Sequence, residues 1–209
     1  MTTLPRLLFQ ESNRHFQPAP FKSGDFSQRD AMQGRGYSLW LIPNDRNRDI
    51  FSEIIKKIAE KARTPSFAPH ITLLGGVLGS EDELRKKTRF LIKEQSEFQI
   101  SFSGIDYEDY YFRALFVRAE LNESLRLLNI RAKEIFGMKD APSFYTPHLS
   151  LLYGDFPLNF KKELTRFAGG IPASLIVQRV DLYRTEGEVI GWQKVEEFPF
   201  HFQNTTQNS

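Results

Sequence analysis

Residues 67–76 read Phe-Ala-Pro-His-Ile-Thr-Leu-Leu-Gly-Gly, and residues 145–154 read Tyr-Thr-Pro-His-Leu-Ser-Leu-Leu-Tyr-Gly. The two stretches share the proline, the histidine, both leucines and the final glycine, and three other positions differ conservatively. Because a stretch that occurs twice in one chain indicates an internal repeat, we expect the two copies to be the functional parts. The rest of the chain is then the frame that brings them together.

Composition limits the class of protein. A length of 209 residues fits one compact domain or two small lobes with a shared core. The 28 basic and 26 acidic side chains give a net charge of +2, which does not favour a general polyanion binder. The chain has no cysteine, which fits a reducing compartment, and no apolar run approaches the roughly 20 residues that span a bilayer. We therefore expect a cytoplasmic monomer without a membrane partner.

The chain divides into three parts. Residues 1–35 contain several prolines and glycines and show neither helical nor strand periodicity. We interpret them as an N-terminal extension that is partly disordered and partly draped on the domain, with a transit sequence as the alternative. Residues 36–202 form one domain in this interpretation, and the polar residues 203–209 form a loose tail.

Periodicity predicts the elements of the domain. Each motif copy is expected to be a strand, and further strands and helices alternate around them without the regular rhythm of a parallel sheet. This pattern indicates a duplicated α+β unit. The other predicted strands cover residues 37–42, 98–102, 110–118, 173–184 and 189–198, the last two as a hairpin, and the predicted helices cover 50–62, 80–94, 122–137 and 159–168.

The motif places two kinds of polar side chain on one face of each strand. Side chains at positions i and i+2 of a strand point to the same side, so His70 projects with Thr72, and His148 projects with Ser150. The intervening apolar residues point the other way, into the core. Each copy thus offers one imidazole and one hydroxyl.

Two imidazoles that face each other across a cleft can divide acid and base duties. An unperturbed histidine has a pKa near 6.5, so near neutrality one ring can accept a proton from water while the other donates one to a leaving oxygen. The two hydroxyls can donate hydrogen bonds to the non-bridging oxygens of a phosphate. This arrangement suits hydrolysis of a phosphodiester and requires no metal and no other cofactor.

Other interpretations of the same residues stay open. Either copy alone could be ordinary core, and the pair could belong to a nucleotide-binding module without catalysis. A zinc site built from His70 and His148 would need a third or fourth ligand.

Outside the motifs, Tyr110 and Tyr111 are expected to pack on a strand. Arg179 and Arg184 are candidates for holding a second phosphate, with a solvated surface role as the alternative. The Lys86-Lys87 and Lys161-Lys162 pairs are expected on solvated helix faces.

At these residues the sequence resembles the two-histidine (2H) phosphoesterase superfamily, whose signature is two copies of His-x-Thr/Ser. It looks most like the plant and fungal cyclic phosphodiesterase branch, with a weaker match from about Tyr37 to about Phe198. The resemblance implies a LigT-like α+β fold, in which residues 36–202 form a two-lobed catalytic domain with mainly antiparallel sheets around a central cleft. It also implies hydrolysis of ADP-ribose 1″,2″-cyclic phosphate and of nucleoside 2′,3′-cyclic phosphates.

The resemblance assigns roles to six residues. His70 and His148 would be the catalytic pair, with His148 as base and His70 as acid by similarity. Thr72 and Ser150 would bind the phosphate, and Tyr153 and Trp192 would line the substrate cleft. The expected partner is a small cyclic-phosphate nucleotide. The alternative within the superfamily is an enzyme that acts on RNA ends with a 2′,3′-cyclic phosphate or a 2′,5′ linkage.

Overall fold

The computed structural model describes residues 34–138 and 145–201, and within them the chain forms seven strands and four α-helices. The strands are β1 (Tyr37–Pro43), β2 (Ile71–Val77), β3 (Phe98–Asp106), β4 (Leu115–Ala119), β5 (His148–Leu152), β6 (Ser174–Arg184) and β7 (Gln193–Pro199). The helices are α1 (Asp45–Ala62), α2 (Glu81–Ile92), α3 (Glu123–Ile135) and α4 (Leu158–Leu164). Short 3₁₀ turns cover Tyr111–Arg113, Thr165–Phe167 and Val189–Gly191.

The strands form one antiparallel sheet in the order β1-β2-β5-β4-β3-β6-β7. The long strand β6 also pairs with β1, so six strands close into a circuit and β7 lies outside it. One lobe consists of β2, β1, β6 and β7, and the other consists of β5, β4 and β3 with the first residues of β6. The predicted two-lobed, antiparallel α+β fold is confirmed.

The order of the elements shows the duplication that the motif predicted. The first half runs β1-α1-β2-α2-β3 and the second runs β4-α3-β5-α4-β6, so each motif strand follows a helix. The two motif strands meet at a single antiparallel pair, Ile71 with Leu149, which are equivalent positions in the two copies. Because neighbours of such a pair also lie opposite each other, position 70 faces position 150, and position 72 faces position 148.

Helices α1 and α3 each support one of the motif strands. Helix α1 begins at Asp45 and is capped by Asn44, whose side-chain oxygen accepts the Asn47 N–H at 3.1 Å. Its buried residues recur at the spacing of three and four that puts one apolar face toward the sheet: Phe51, Ile54, Ile55, Ile58 and Ala59. Full burial of each large side chain stabilises the fold by about 1.5–3 kcal/mol. Helix α1 packs against β1 and β5, and α3 packs against β2, so each motif strand rests on a helix from the other half.

The structure corrects the prediction of a strand over residues 110–118. Residues Tyr111–Arg113 form a 3₁₀ turn, and strand β4 begins only at Leu115. The backbone of this turn bonds outside the sheet ladder, because the Tyr111 carbonyl accepts the Gly154 N–H at 2.9 Å and the Phe112 carbonyl accepts the Ser150 hydroxyl at 3.0 Å. Aromatic composition favoured a strand here, but these contacts from the second motif fix a turn.

The prediction of a solvated Lys161-Lys162 pair is wrong for Lys161. Its side chain is buried, with 1% of the residue exposed. The ammonium group donates to the Glu108 carbonyl at 2.8 Å and to the Asp109 carboxylate at 2.6 Å. Lys162 is exposed, as expected.

The ends of the chain fall largely outside the described residues. The predicted extension lies there up to residue 33, as does the tail at 203–209. Gly34 and Arg35, which the sequence placed at the end of the extension, lie against the domain, because the Gly34 and Gly187 backbones exchange hydrogen bonds of 2.9 and 3.0 Å. In the part of the chain that the structure describes, every helix is too short or too polar to cross a membrane.

Candidate active site

A cavity of about 510 Å³ lies where the two motif strands meet. Ile71 and Leu149, the apolar residues between the motif histidines and hydroxyls, do not line it and pack in the hydrophobic core. The alternation expected of two polar-faced strands is therefore present. All six residues that the sequence singled out line this cavity: His70, Thr72, His148, Ser150, Tyr153 and Trp192.

His70 is held on three sides. Its Nδ1 lies 2.7 Å from the carbonyl oxygen of Ala68, and because a carbonyl can only accept, Nδ1 carries the proton. Its ring stacks on the indole of Trp40, with a centroid distance of 3.6 Å and an interplanar angle of 6°. The remaining ring nitrogen, Nε2, is 3.4 Å from the Tyr153 hydroxyl.

His148 repeats the same local geometry. Its Nδ1 lies 3.0 Å from the carbonyl oxygen of Thr146, two residues earlier, as Ala68 precedes His70. The ring is half-buried and meets Phe116 edge-on at 5.3 Å. Both histidines thus have the same tautomer, with the proton on Nδ1 and the lone pair on Nε2.

Burial lowers the pKa of both histidines to about 4 from an ordinary 6.5. The proximity of His148 lowers the pKa of His70 further, while the positive charge of Arg113 does the same for His148. Both rings are therefore neutral near pH 7 when the cavity holds no anion. This differs from the expectation that one ring is protonated near neutrality, and the reason is the loss of hydration. A bound phosphate anion acts in the opposite direction, because a nearby negative charge raises the pKa of histidine.

The two hydroxyls occupy different surroundings. Thr72 is half-buried on the cavity wall, and its backbone carbonyl accepts the Tyr145 hydroxyl of the other copy at 2.8 Å. The Ser150 hydroxyl donates to the Phe112 carbonyl at 3.0 Å. To donate to a phosphate oxygen, Ser150 must therefore rotate away from that carbonyl, since a hydroxyl has a single proton to give.

Aromatic rings form most of the remaining wall. The predicted Tyr153 and Trp192 lie 6.0 Å apart, and Trp192 also contacts Phe112 at 5.7 Å between ring centroids. Sequence reasoning did not assign Trp40 or Phe112 to the site. For Trp40 the available signal was its spacing of two from Ser38 on β1, which puts both on one face of a strand, and both line the cavity.

The arginines at the cavity are not those that the sequence suggested. Arg113 and Arg35 line it, together with the exposed Tyr110, which was expected to be packed on a strand. Arg179 instead pairs with the buried Asp181 at 2.8 Å, and Arg184 pairs with Glu81. Their positions agree with structural roles away from the cavity.

The donor set near the histidines is limited. Within residues 34–138 and 145–201, His, Cys, Asp and Glu side chains form no group of three or more positioned to hold a metal ion. The polar side chains on the cavity wall are instead the two imidazoles, several hydroxyls and two guanidinium groups. They can transfer protons and donate hydrogen bonds to an anionic ligand.

Paired His-x-Thr/Ser strands that face one cavity in an antiparallel α+β fold define a two-histidine phosphoesterase. The chain belongs to the family of cyclic phosphodiesterase-like proteins, whose model matches residues 35–200. It is 30% identical over 155 residues to a 2′,3′-cyclic-nucleotide 3′-phosphodiesterase of Neurospora crassa, covering 59% of this chain and 73% of that protein. It is 22% identical over 139 residues to a cyclic phosphodiesterase of Arabidopsis thaliana, covering 66% and 76%. The predicted enzyme class, a phosphodiesterase, is confirmed.

Solved structures support the same fold. The Thermus thermophilus protein TT0787 superposes with a TM-score of 0.55 at 19% identity, covering 80% of this chain and 99% of that one. E. coli LigT complexed with 3′-AMP superposes with a TM-score of 0.51 at 14% identity, covering 80% and 98%. The prediction of a LigT-like fold is thus confirmed.

Proposed function

We propose that this protein hydrolyses cyclic phosphates on ribose, with His70 and His148 as the acid–base pair. The observation that carries the proposal is the matched anchoring of the two rings. Each donates Nδ1–H to the carbonyl two residues earlier, and both line the same cavity. Each Nε2 is thereby fixed in the form that exchanges a proton with a ligand.

The reaction divides between the two rings. Neutral His148 accepts a proton on Nε2 from a water molecule, whose oxygen attacks phosphorus. The bond from phosphorus to one ribose oxygen breaks, and His70, protonated on Nε2, gives its proton to that oxygen. Burial is the main cause that lowers both pKa values to about 4. The division rests on smaller differences: the charge of Arg113 lowers the pKa of His148 further, which suits the base, whereas His70 stacks on the face of Trp40, which stabilises a protonated ring.

The substrate supplies the negative charge that the acid needs. With both pKa values near 4, a protonated His70 is scarce at neutral pH. The charge of the cyclic phosphate raises that pKa on binding, so the acid forms together with the complex. Thr72 and Ser150 then donate to the non-bridging oxygens, whose charge grows in the transition state.

The aromatic wall favours a nucleoside as the remainder of the substrate. A base stacked on an aromatic side chain contributes roughly 1–3 kcal/mol. Trp192, Phe112 and Tyr110 are half-buried or exposed rings that line the cavity, whereas Tyr153 is buried against Phe67. The Neurospora relative is named for 2′,3′-cyclic nucleotides, and E. coli LigT was solved with 3′-AMP. We therefore propose nucleoside 2′,3′-cyclic phosphates and ADP-ribose 1″,2″-cyclic phosphate as substrates, with nucleoside 2′-phosphates and ADP-ribose 1″-phosphate as products.

The deciding experiment measures turnover of a cyclic mononucleotide, ADP-ribose cyclic phosphate and an oligonucleotide that ends in a cyclic phosphate, with product identification. We expect both small substrates to be preferred. His70→Ala and His148→Ala should each lower kcat by roughly 10²–10⁴-fold. His201→Ala is the matched control, because this histidine lies away from the cavity and bonds to the Lys93 carbonyl at 2.7 Å.

Two outcomes would change the proposal. A clear preference for the oligonucleotide would favour the RNA-end enzyme instead. Tight nucleotide binding without turnover, or trace activity that is indifferent to His70→Ala, would leave a nucleotide-binding module.

A further inference from the structure

The cavity wall contains a guanidinium group that the proton transfers do not use directly, that of Arg113. Arg113 ends the 3₁₀ turn that precedes strand β4 and forms an ion pair with Glu108. Its Cζ lies 5.7 Å from the centre of the Tyr110 ring and 5.9 Å from that of Phe116. The group is thus held among aromatic faces at the edge of the cavity.

The position of Arg113 relates it to one of the two histidines. The Phe116 ring contacts both, since its centroid is 5.9 Å from Arg113 Cζ and 5.3 Å from the His148 ring. Arg113 and His148 line the cavity with Ser150. The Ser150 hydroxyl donates to the carbonyl of Phe112, the residue before Arg113. A phosphate that accepts a hydrogen bond from Ser150 therefore lies next to the turn that carries Arg113.

Hydrogen bonds from helix α4 and from the second motif hold the turn that carries Arg113. The buried ammonium group of Lys161 donates to the Glu108 carbonyl and to the Asp109 carboxylate. The Arg113 carbonyl accepts the Glu108 N–H at 3.2 Å, and the Tyr111 carbonyl accepts the Gly154 N–H at 2.9 Å. A buried lysine is rare unless it is paired, and here its pairing holds Glu108, the partner of Arg113, and the next residue, Asp109.

We propose that Arg113 binds the phosphate group of the ligand directly and that Glu108 is the internal anion which this ligand displaces or shares. A guanidinium offers two parallel N–H donors that match phosphate oxygens, and such charge-assisted bonds are among the strongest in proteins. In the free protein Glu108 bonds to one terminal nitrogen of the guanidinium, while the buried Nε of Arg113 has no hydrogen-bond partner among the residues that the structure describes. The identity of the phosphate as a cyclic ester rests on the proposed function, whereas anion binding by Arg113 does not.

The test is a calorimetric titration of the folded protein with inorganic phosphate. We expect Arg113→Gln to weaken phosphate binding by about ten-fold or more, and Arg113→Lys, which keeps the charge without the paired donors, to weaken it less. Arg126→Gln is the matched control, because it removes the same charge from an exposed arginine that pairs with Glu123 on helix α3. Unchanged affinity in Arg113→Gln would overturn the proposal.

A second variant separates ligand binding from a structural role. Glu108→Gln removes the competing carboxylate and should tighten phosphate binding by several-fold. If Arg113 served only to hold the turn through Glu108, this variant would weaken binding instead, and that result would also overturn the proposal. Because the titration needs no turnover, it measures anion binding by Arg113 even if the wild-type protein hydrolyses none of the cyclic phosphates.

Discussion

The hydroxyl oxygen of Tyr153 lies 3.4 Å from Nε2 of His70, so the second motif copy reaches the histidine of the first. Because Nδ1 of His70 donates to Ala68, the tyrosine is the donor in the neutral state. Phe67, from the first copy, stacks on Tyr153 from the second, with 4.0 Å between the ring centroids. The two halves therefore contribute to one shared cavity instead of two separate ones.

Tyr153→Phe should lower kcat/KM by about two- to ten-fold, which corresponds to the net free energy of one hydrogen bond between neutral groups. The ring remains to stack on Phe67, so the midpoint of thermal unfolding should change little. Steady-state kinetics and a melting curve check both expectations. A loss as large as that of His70→Ala would mean that the hydroxyl itself transfers a proton.

The pKa values of the two histidines should be visible directly. We expect the imidazole resonances of His70 and His148 to titrate near pH 4 in the free protein, because burial lowers both pKa values to about 4. Added phosphate should move both midpoints upward. Proton NMR on the wild type, with each histidine variant for assignment, measures this. Midpoints near 6.5 without ligand would contradict the burial that the structure shows.

The same burial predicts a loss of stability in acid. His70 binds a proton near pH 6.5 when unfolded but only near pH 4 when folded, so the unfolded chain takes up protons first. The free energy of unfolding should fall between pH 6.5 and 4 by about 3 kcal/mol from this residue. Urea unfolding across that range tests it, and His70→Gln should show a shallower dependence on pH. An equal slope in both proteins would contradict the assignment.

Removal of either motif hydroxyl should reduce kcat by less than removal of either histidine. Thr72→Val and Ser150→Ala each take away one donor among several, for which roughly 10²–10³-fold is the upper range. Ser150→Ala should also lower the free energy of unfolding by about 1 kcal/mol, because it leaves the Phe112 carbonyl without its hydroxyl donor. Kinetics and denaturation of both variants provide the comparison.

Lys161→Met should destabilise the fold and loosen the turn before β4. The substitution keeps the length of the buried chain but leaves the Glu108 carbonyl without its donor, at a cost of about 1–3 kcal/mol. Lys162→Met, one residue along on the exposed face, is the control and should be nearly neutral. Chemical denaturation measures both. If the two variants behave alike, the buried ammonium group does not anchor the turn.

Sequence reasoning worked where one local pattern decides the structure. The 3.6-residue period of helix α1 and the period of two in the motifs are local properties, and both appear in the structure as predicted. The caps at Ser80 and Asn122 are local as well, and their side-chain oxygens accept the N–H groups of Glu83 and Leu125.

The wrong predictions all depend on contacts between distant parts of the chain. Residues 110–114 have the composition of a strand, but hydrogen bonds from the second motif make them a turn. Lys161 lies on a helix as predicted, yet its burial depends on carbonyl and carboxylate partners more than fifty residues earlier. Arg113 reaches the cavity for the same reason, so its place at the site could not be predicted from its neighbours in sequence.

The closure of the strand circuit limits how the enzyme can move. Because β6 bonds to both β1 and β3 while β2 bonds to β5, the two lobes are joined by backbone pairing at two separate seams. A hinge that swung the lobes apart would have to break one of these seams. Side chains that line the cavity can move without breaking either seam, and the half-exposed Tyr110 is freer to rotate than Trp192, whose indole N–H donates to the Gly187 carbonyl.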